Sequence, residues 1–132
     1  MHTTNYYNTF IEVAEDCPVV VAETPPQKTA ANIAFEIIKN HPYKYTSDDV
    51  LFQVYTAKTN VPEADWNGEK QKFFSKGQAC FRASPLTKRY GWGVHCNTEG
   101  KIALYTLESE EYKKFFQYEN LKIIKALRSK RG

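Results

Sequence analysis

One β-hairpin constrains the fold of this 132-residue chain more than any other feature of its sequence. Residues 91–96 and 101–107 are two runs of strand-forming residues, and the turn signal 97–100 separates them. A three-residue loop closed by a left-handed Gly100 sets the register. That register puts five apolar residues on one face: Trp92, Val94, Cys96, Ile102 and Leu104. A one-residue slip would scatter them, so this face is predicted to be a core face.

The opposite face of the hairpin has little bulk at its centre, where Gly93 and Ala103 lie. A glycine inside a strand indicates close approach by another part of the chain or by a ligand. His95 and Tyr105 share this face. By residue type, His95 is therefore the first candidate for a general acid or base.

Helical signals dominate the first half of the chain. Residues 29–40 repeat apolar side chains at helical spacing, and Pro42 ends that pattern. Thr46 and Asp49 resemble a capping box, although residues 50–55 fit a helix or a strand. A third helix is predicted to run from Pro62 to about residue 75.

The remaining segments complete an α+β pattern. Strands are predicted at residues 9–14, 19–22 and 79–84, and a helix at 109–116, whereas 121–127 fit either a strand or a helix. This order predicts a mostly antiparallel sheet with helices packed on one side. The length predicts a single domain over residues 1–132, ending in a frayed basic tail at 128–132.

A long segment without acidic residues is the predicted binding region. Residues 70–98 contain no Asp or Glu, but they hold six cations and five aromatic rings. Lys and Arg contact phosphates, and exposed rings stack on bases. The predicted anion-binding residues are Lys76, Arg82, Lys88, Arg89, Tyr90 and His95.

Several interpretations of this segment stay open. The ligand is a phosphate-bearing small molecule or a nucleic acid, and the sequence pI of about 8.7 is low for a nucleic-acid module. Alternatively, the segment is a solvated loop whose rings belong to the core. A protein–protein interaction module is a further alternative.

The rival prediction is a small enzyme that uses His95 with Asp48 or Ser84. Asp49 and Cys80 are further candidates, and Asp48 and Asp49 equally suit a helix start. No nucleotide-binding or hydrolase motif occurs, and the histidines lack metal-ligand spacing, so neither a cofactor nor a metal is expected. Residues 41–45 carry two tyrosines around a lysine, which line a pocket or cover a helix end.

The expected location is the cytoplasm. The N-terminus has no signal-peptide pattern, and no apolar run is long enough for a membrane span. The chain has an odd number of cysteines, and these are expected to be reduced thiols: Cys17, Cys80 and Cys96. No membrane partner is expected, and the sequence indicates no oligomeric state.

Three stretches of the chain resemble a known family: residues 2–18, 42–50 and, most specifically, 74–95. In these stretches the chain is similar to a family of small bacterial proteins that form a domain of unknown function. The likeness spans nearly the whole chain, which implies one free-standing domain. It implies no activity, ligand or catalytic residue.

Overall fold

The computed structural model describes residues 2–129. The elements follow the chain as β1 (Thr9–Glu12), α1 (Ala30–Asn40), α2 (Ser47–Thr59), a 3₁₀ turn (Glu63–Asp65), α3 (Trp66–Phe74), a second 3₁₀ turn (Phe81–Ala83), α4 (Pro85–Lys88), β2 (Trp92–Cys96), β3 (Ile102–Thr106), α5 (Glu110–Lys114), a third 3₁₀ turn (Phe115–Gln117) and β4 (Lys122–Lys125). This arrangement confirms the predicted α+β class.

The strands form one mixed sheet in the order β3-β2-β1-β4. The pairs β2–β3 and β1–β2 are antiparallel, and β1–β4 is parallel, so the sheet is mostly antiparallel as predicted. The hairpin has the predicted register, with Val94 opposite Leu104 and Cys96 opposite Ile102. Gly100 has a φ of 80°, the left-handed conformation that closes the turn.

The main core lies between one face of the sheet and the helices α1, α2 and α4. Apolar side chains of all three helices meet the core face of the hairpin there, among them Phe35, Val50 and Leu86. Helix α3 packs outside α2, where the Phe52 ring lies edge-on to Trp66 at 6.0 Å. These helices share one side of the sheet, as the sequence predicted.

A smaller apolar cluster covers the opposite face of the sheet. Phe10 of β1 stacks on Phe115 with the ring centroids 4.4 Å apart, and it meets Tyr112 of α5 edge-on at 5.0 Å. Both faces of the sheet are therefore partly covered, because the short helix α5 packs opposite the longer helices.

Residues 50–55 are helical, which settles the alternative that the sequence left open. The Thr46 hydroxyl accepts a hydrogen bond from the Asp49 N–H, and the Asp49 carboxylate accepts one from the Thr46 N–H. This capping box starts α2. The helix buries Val50 against the sheet and Phe52 against α3, which accounts for its apolar, β-like composition.

Two predicted strands are absent from the structure. Residues 20 and 21 are bends, Val20 is 82% exposed, and the described part of the chain has no strand at 19–22. Residues 79–84 contain a 3₁₀ turn at Phe81–Ala83 that leads into α4. The Ser84 hydroxyl accepts a hydrogen bond from the Leu86 N–H, and Pro85 stands in the first helical turn. A cap followed by proline starts a helix, and this signal outweighs a short alternating pattern.

Two predictions concern the end of the chain, namely the segment 121–127 and the tail 128–132. Residues 122–125 form the parallel strand β4 beside β1, so the ambiguous 121–127 segment contains a strand. At the start of the predicted tail, Arg128 lies 4.0 Å from the Glu15 carboxylate, and the Ser129 N–H donates to Asp16. The rest of the predicted tail, 130–132, lies outside the described residues. Within residues 2–129, no helix is both long and apolar enough to cross a membrane.

Candidate active site

A cleft of about 700 Å³ opens at one end of the glycine-bearing face of the hairpin. His95 lies in its wall, between strand side chains and the segment that follows α5. The lining residues are Asn8, Tyr43, His95, Tyr105, Glu111, Lys114, Phe115, Tyr118, Glu119, Asn120 and Leu121. This volume is in the range of sites that bind small molecules.

The centre of the glycine-bearing face is closed. A Cβ atom on Gly93 would lie 2.5 Å from the Phe10 ring and 2.6 Å from the Tyr112 ring. The close approach that the glycine predicted is therefore made by the protein itself. The cleft begins only where His95 and Tyr105 extend beyond this packing.

A chain of hydrogen bonds joins three side chains of the cleft. The Tyr43 hydroxyl lies 2.8 Å from His95 Nδ1 and 2.7 Å from the Tyr105 hydroxyl. Nε2 of His95 has no hydrogen-bond partner among the described residues and is not fully buried, and the residue lines the cleft. One ring nitrogen is thus held by the protein, and the other is free of protein partners.

Tyr43 reaches His95 because its backbone continues the sheet. The Tyr43 N–H donates to the Ile102 carbonyl, and the Ile102 N–H donates to the Tyr45 carbonyl, both at 2.9 Å. Thr46 and Lys101 form an antiparallel bridge beyond them. Residues 43–46 therefore lie along the free edge of β3, and this placement brings the Tyr43 side chain over the hairpin.

Backbone strain accompanies the same cleft. Tyr43 has a φ of 59° and Asn8 a φ of 48°, both in the left-handed region that residues other than glycine rarely adopt. The Asn8 side chain donates to the Asn120 carbonyl at 2.7 Å, which ties β1 to the loop before β4. Strained conformations persist where the surrounding contacts enforce them, and they concentrate at functional sites.

Burial sets the protonation states of the hydrogen-bonded chain. It lowers the pKa of His95 below its ordinary value of 6.5, because the charged imidazolium loses solvation. The ring also lies against Phe115, with the centroids 4.6 Å apart. Burial, aided by the Tyr105 hydroxyl, raises the pKa of Tyr43 well above 10. At neutral pH the imidazole is therefore neutral and the phenol keeps its proton.

The rim of the cleft carries three charged side chains. Glu111, Lys114 and Glu119 are exposed, and no ion pair involves any of them within the described part of the chain. Neighbouring charges on α5 behave differently, since Lys113 pairs with Glu110 at 3.8 Å. The rim charges are therefore available to a ligand.

The structure separates His95 from the other predicted anion-binding residues. Arg82 donates its Nε hydrogen to the Lys125 carbonyl at 2.8 Å. Lys76 lines a different cleft, beside Phe73. Neither a shared cleft nor a hydrogen bond between described residues connects these cations to His95.

The other members of the predicted set lie around the end of α4. Lys88 is the last residue of that helix, and exposed Arg89 follows it. Tyr90 packs against the main core and accepts a hydrogen bond at its carbonyl from the Glu23 N–H. This group forms no common cavity with His95 in the described residues.

The alternative catalytic candidates have structural contacts. Ser84 caps α4 and lies half-buried in a mostly apolar groove, which Cys80 also lines. Asp49 belongs to the capping box of α2. The Tyr6 hydroxyl lies 3.4 Å from Cys80 Sγ. None of these groups lines the His95 cleft.

Asp48 anchors the N-terminal segment to α2. Its carboxylate accepts hydrogen bonds from the Thr3 hydroxyl, the Thr4 N–H and the Thr4 hydroxyl, each at 2.7 Å. Its own N–H donates to the side chain of Asn5. These contacts assign Asp48 a role in holding the chain terminus.

Sequence reasoning identified part of the cleft. His95 and Tyr105 were placed on the same face, and Tyr43 lies in the segment for which a pocket was one interpretation. The contribution of Phe115 and Tyr118 was missed, because it depends on how the chain turns after α5. Glu111 and Lys114 stand three residues apart on that helix, and this spacing is the signal that could have placed them together.

Over residues 2–129, no group of three or more His, Cys, Asp or Glu side chains is placed to hold a metal ion.

The fold and the cleft define a small α+β domain with a histidine–tyrosine pocket at one end of its sheet. The chain belongs to DUF6157, a family of unknown function, whose model matches residues 1–132. This match confirms the resemblance to a family of unknown function. No curated protein and no solved structure gives a significant match.

Proposed function

We propose that this protein is a small enzyme in which His95 acts as general acid and base toward a small organic substrate in the cleft. The observation that carries the proposal is the bonded chain from Tyr105 through Tyr43 to Nδ1 of His95, with Nε2 left accessible. A general base requires a free ring nitrogen near the substrate and a partner that orients the ring. Both requirements are met at His95.

The hydrogen-bonded chain can run in either direction. When Nδ1 of His95 donates to Tyr43 and Tyr43 donates to Tyr105, Nε2 has a free lone pair and can accept a proton. When Tyr105 donates to Tyr43 and Tyr43 donates to Nδ1, Nε2 carries the proton and can donate it. The raised pKa of Tyr43 keeps its hydroxyl protonated, so it serves as donor or acceptor without ionising.

The lining favours proton transfer over nucleophilic attack by a Ser or Thr hydroxyl or a Cys thiol. Among the described residues, no serine, threonine or cysteine lines the cleft. The nearest cysteine in sequence, Cys96, is buried on the other face of β2, and burial raises the pKa of its thiol to about 12. The fitting reaction class is therefore proton abstraction from carbon, or addition of water, at a carbonyl-type substrate.

Substrate screening with matched variants tests the proposal. A panel of small carbonyl compounds, esters and lactones is incubated with the wild-type protein and with His95→Asn, and products are followed by mass spectrometry and NMR. Loss of general acid–base catalysis lowers turnover by roughly a hundredfold to ten-thousandfold. Tyr43→Phe should lower it less, because His95 remains.

The control variant is Ser84→Ala, which changes the other predicted catalytic residue outside the cleft. It should keep full turnover. The proposal fails if His95→Asn retains the structure and turns over the substrate as fast as the wild type. It also fails if the whole panel, including simple activated esters, gives no product.

The predicted binding of an anionic ligand by Arg82, Lys88 and Arg89 stays a prediction. Those residues line no shared cleft with His95 in the described part of the chain, so the acid–base function has the stronger structural support.

We also infer that the protein acts in the cytoplasm. The support is that Cys17, Cys80 and Cys96 are all free thiols in the structure. Free thiols are typical of a reducing compartment.

A further inference from the structure

The walls of the His95 cleft are mainly aromatic. Tyr43, Tyr105, Phe115 and Tyr118 all line it, and Phe115 meets Tyr105 and Tyr118 edge-on at 4.9 and 5.9 Å. The face of an aromatic ring carries partial negative charge and attracts cations. Tyr118 is 57% exposed, so much of its ring surface is available to a ligand.

The charged groups around the cleft are mainly acidic. Glu111 and Glu119 outnumber Lys114, and none of the three is in an ion pair within residues 2–129. His95 adds no positive charge near neutral pH, because burial lowers its pKa. The side chains lining the cleft therefore sum to one net negative charge.

An apolar surface lies beside these groups. Phe115 is 7% exposed and Leu121 half-buried, and both line the cleft. A ligand with an apolar body and a charged head can pack its body on these side chains. Its head can then reach the carboxylates at the rim.

We propose that the cleft selects a small organic cation, namely a carbonyl-type substrate that carries a protonated amine on an aryl or alkyl body. This inference rests on the proposed function, since it names the substrate class of the same site. It runs opposite in charge to the anionic ligand that the sequence predicted for a set of residues that includes both Arg82 and His95. The aromatic walls and the acidic rim both favour a positive head group, and both disfavour a carboxylate or phosphate.

Three probes of matched shape test the charge preference: benzylamine, benzyl alcohol and benzoate. Their binding to the wild-type protein is measured by titration of backbone amide signals in NMR spectra at low salt. Benzylamine, protonated at neutral pH, should bind at least roughly fivefold more tightly than benzoate, with benzyl alcohol between them. Added salt should reduce this preference, since exposed charges are screened.

Charge variants test which side chains at the rim cause the preference for benzylamine. Glu111→Gln combined with Glu119→Gln should weaken benzylamine binding by roughly fivefold, whereas Lys114→Gln should strengthen it about twofold. Glu110→Gln is the matched control, because Glu110 lies on the same helix, pairs with Lys113 and does not line the cleft. All four positions are exposed, so the variants should fold normally.

The outcomes separate this inference from the proposed function. The charge preference is overturned if benzoate binds as tightly as benzylamine or more tightly. It is also overturned if the double variant binds benzylamine as well as the wild type does, or if no probe binds at millimolar concentration. His95→Asn should keep the preference for benzylamine, because a neutral side chain replaces a neutral imidazole. If His95→Asn keeps both the preference for benzylamine and the wild-type turnover, only the proposal of acid–base catalysis is refuted.

Discussion

His95 acquires its environment from three distant parts of the chain. Strand β2 supplies the residue, the segment before α2 supplies Tyr43, and the turn after α5 supplies Phe115. The hydroxyl of Tyr43 orients the ring, and the packing of Phe115 removes water from one side of it. Together these contacts favour a neutral imidazole with one accessible nitrogen.

The pH dependence of stability should reflect the burial of His95. Its pKa is lowered in the folded state, so the unfolded chain binds the proton more tightly. The stability that the neutral imidazole contributes is therefore present above about pH 6.5, and it is lost as the pH falls below that value toward the folded pKa. In His95→Asn this part of the acid-induced loss should disappear.

Urea unfolding at a series of pH values from about 8 to 5 measures this effect in both proteins. The prediction is contradicted if the urea midpoints of the wild type and of His95→Asn fall in parallel as the solution becomes acidic.

Gly93 should tolerate no side chain. The added methyl group of Gly93→Ala would overlap the rings of Phe10 and Tyr112, so we expect the free energy of unfolding to fall by about 1–3 kcal/mol. Gly68 is the matched control, because it lies in α3 with no atom near its Cβ position. Gly68→Ala should raise the free energy by about 0.5–1 kcal/mol.

Urea unfolding of the two glycine variants decides the point. An unchanged midpoint for Gly93→Ala would mean that the glycine-bearing face is open at its centre.

At the scale of elements, local signals in the sequence set the ends of the helices. Thr29 caps α1, Ser109 caps α5, and Thr46 forms the capping box of α2. Each side chain accepts a hydrogen bond from an N–H in the first turn, so these helix starts depend on residues adjacent in sequence. Contacts from elsewhere then determine which face each helix buries.

Asp48 should matter for the attachment of the N-terminal segment to α2. Asp48→Ala removes three hydrogen bonds to Thr3 and Thr4, so we expect the free energy of unfolding to fall by about 2 kcal/mol. Amide exchange at Thr4 should accelerate, because its N–H loses its acceptor. Asp65→Ala is the control, since Asp65 is exposed and makes no side-chain cap, and it should change the free energy by under about 0.5 kcal/mol.

Hydrogen exchange and urea unfolding give both values for each variant. If Asp48→Ala leaves Thr4 exchange and stability at wild-type values, the anchoring role is wrong and Asp48 becomes available for another function.

At the scale of the whole molecule, the sheet separates two apolar clusters. The larger joins α1, α2 and α4 to the hairpin, and the smaller joins Phe10 to α5 and the turn after it. Because β1 and β2 contribute to both faces, their loss exposes both clusters at once. We therefore expect the described domain to unfold cooperatively.

Thiol labelling should report this cooperativity. Cys96 is 1% exposed, and burial raises the pKa of its thiol to about 12, so it should react only when the molecule opens. Cys17 and Cys80 are half-buried and should react faster. An Ellman's reagent time course should show a slow phase that is absent in Cys96→Ala.

Three thiols reacting at one rate in the native protein would contradict this prediction. The slow phase should accelerate in urea in step with unfolding, which ties it to opening of the whole sheet.

Local patterns in the sequence were sufficient for much of the architecture. The hairpin register followed from alternation and a glycine turn, and the starts of α2 and α5 followed from capping residues. The failed strands at 19–22 and 79–84 show the limit of such patterns. Val20 has no partner strand, and the start signal at Ser84 and Pro85 outweighs the alternation before it.

The sequence by itself determined the α+β class, the hairpin, its core face and the position of His95 on the other face, because these depend on residues close together in the chain. Only the tertiary structure decided that rings of β1 and α5 cover Gly93, that Tyr43 bonds to His95, and that Arg82 does not line the cleft. The physical reason is that contacts between distant segments depend on how whole elements pack. Neither the alternation of one strand nor the charge of one loop specifies that packing.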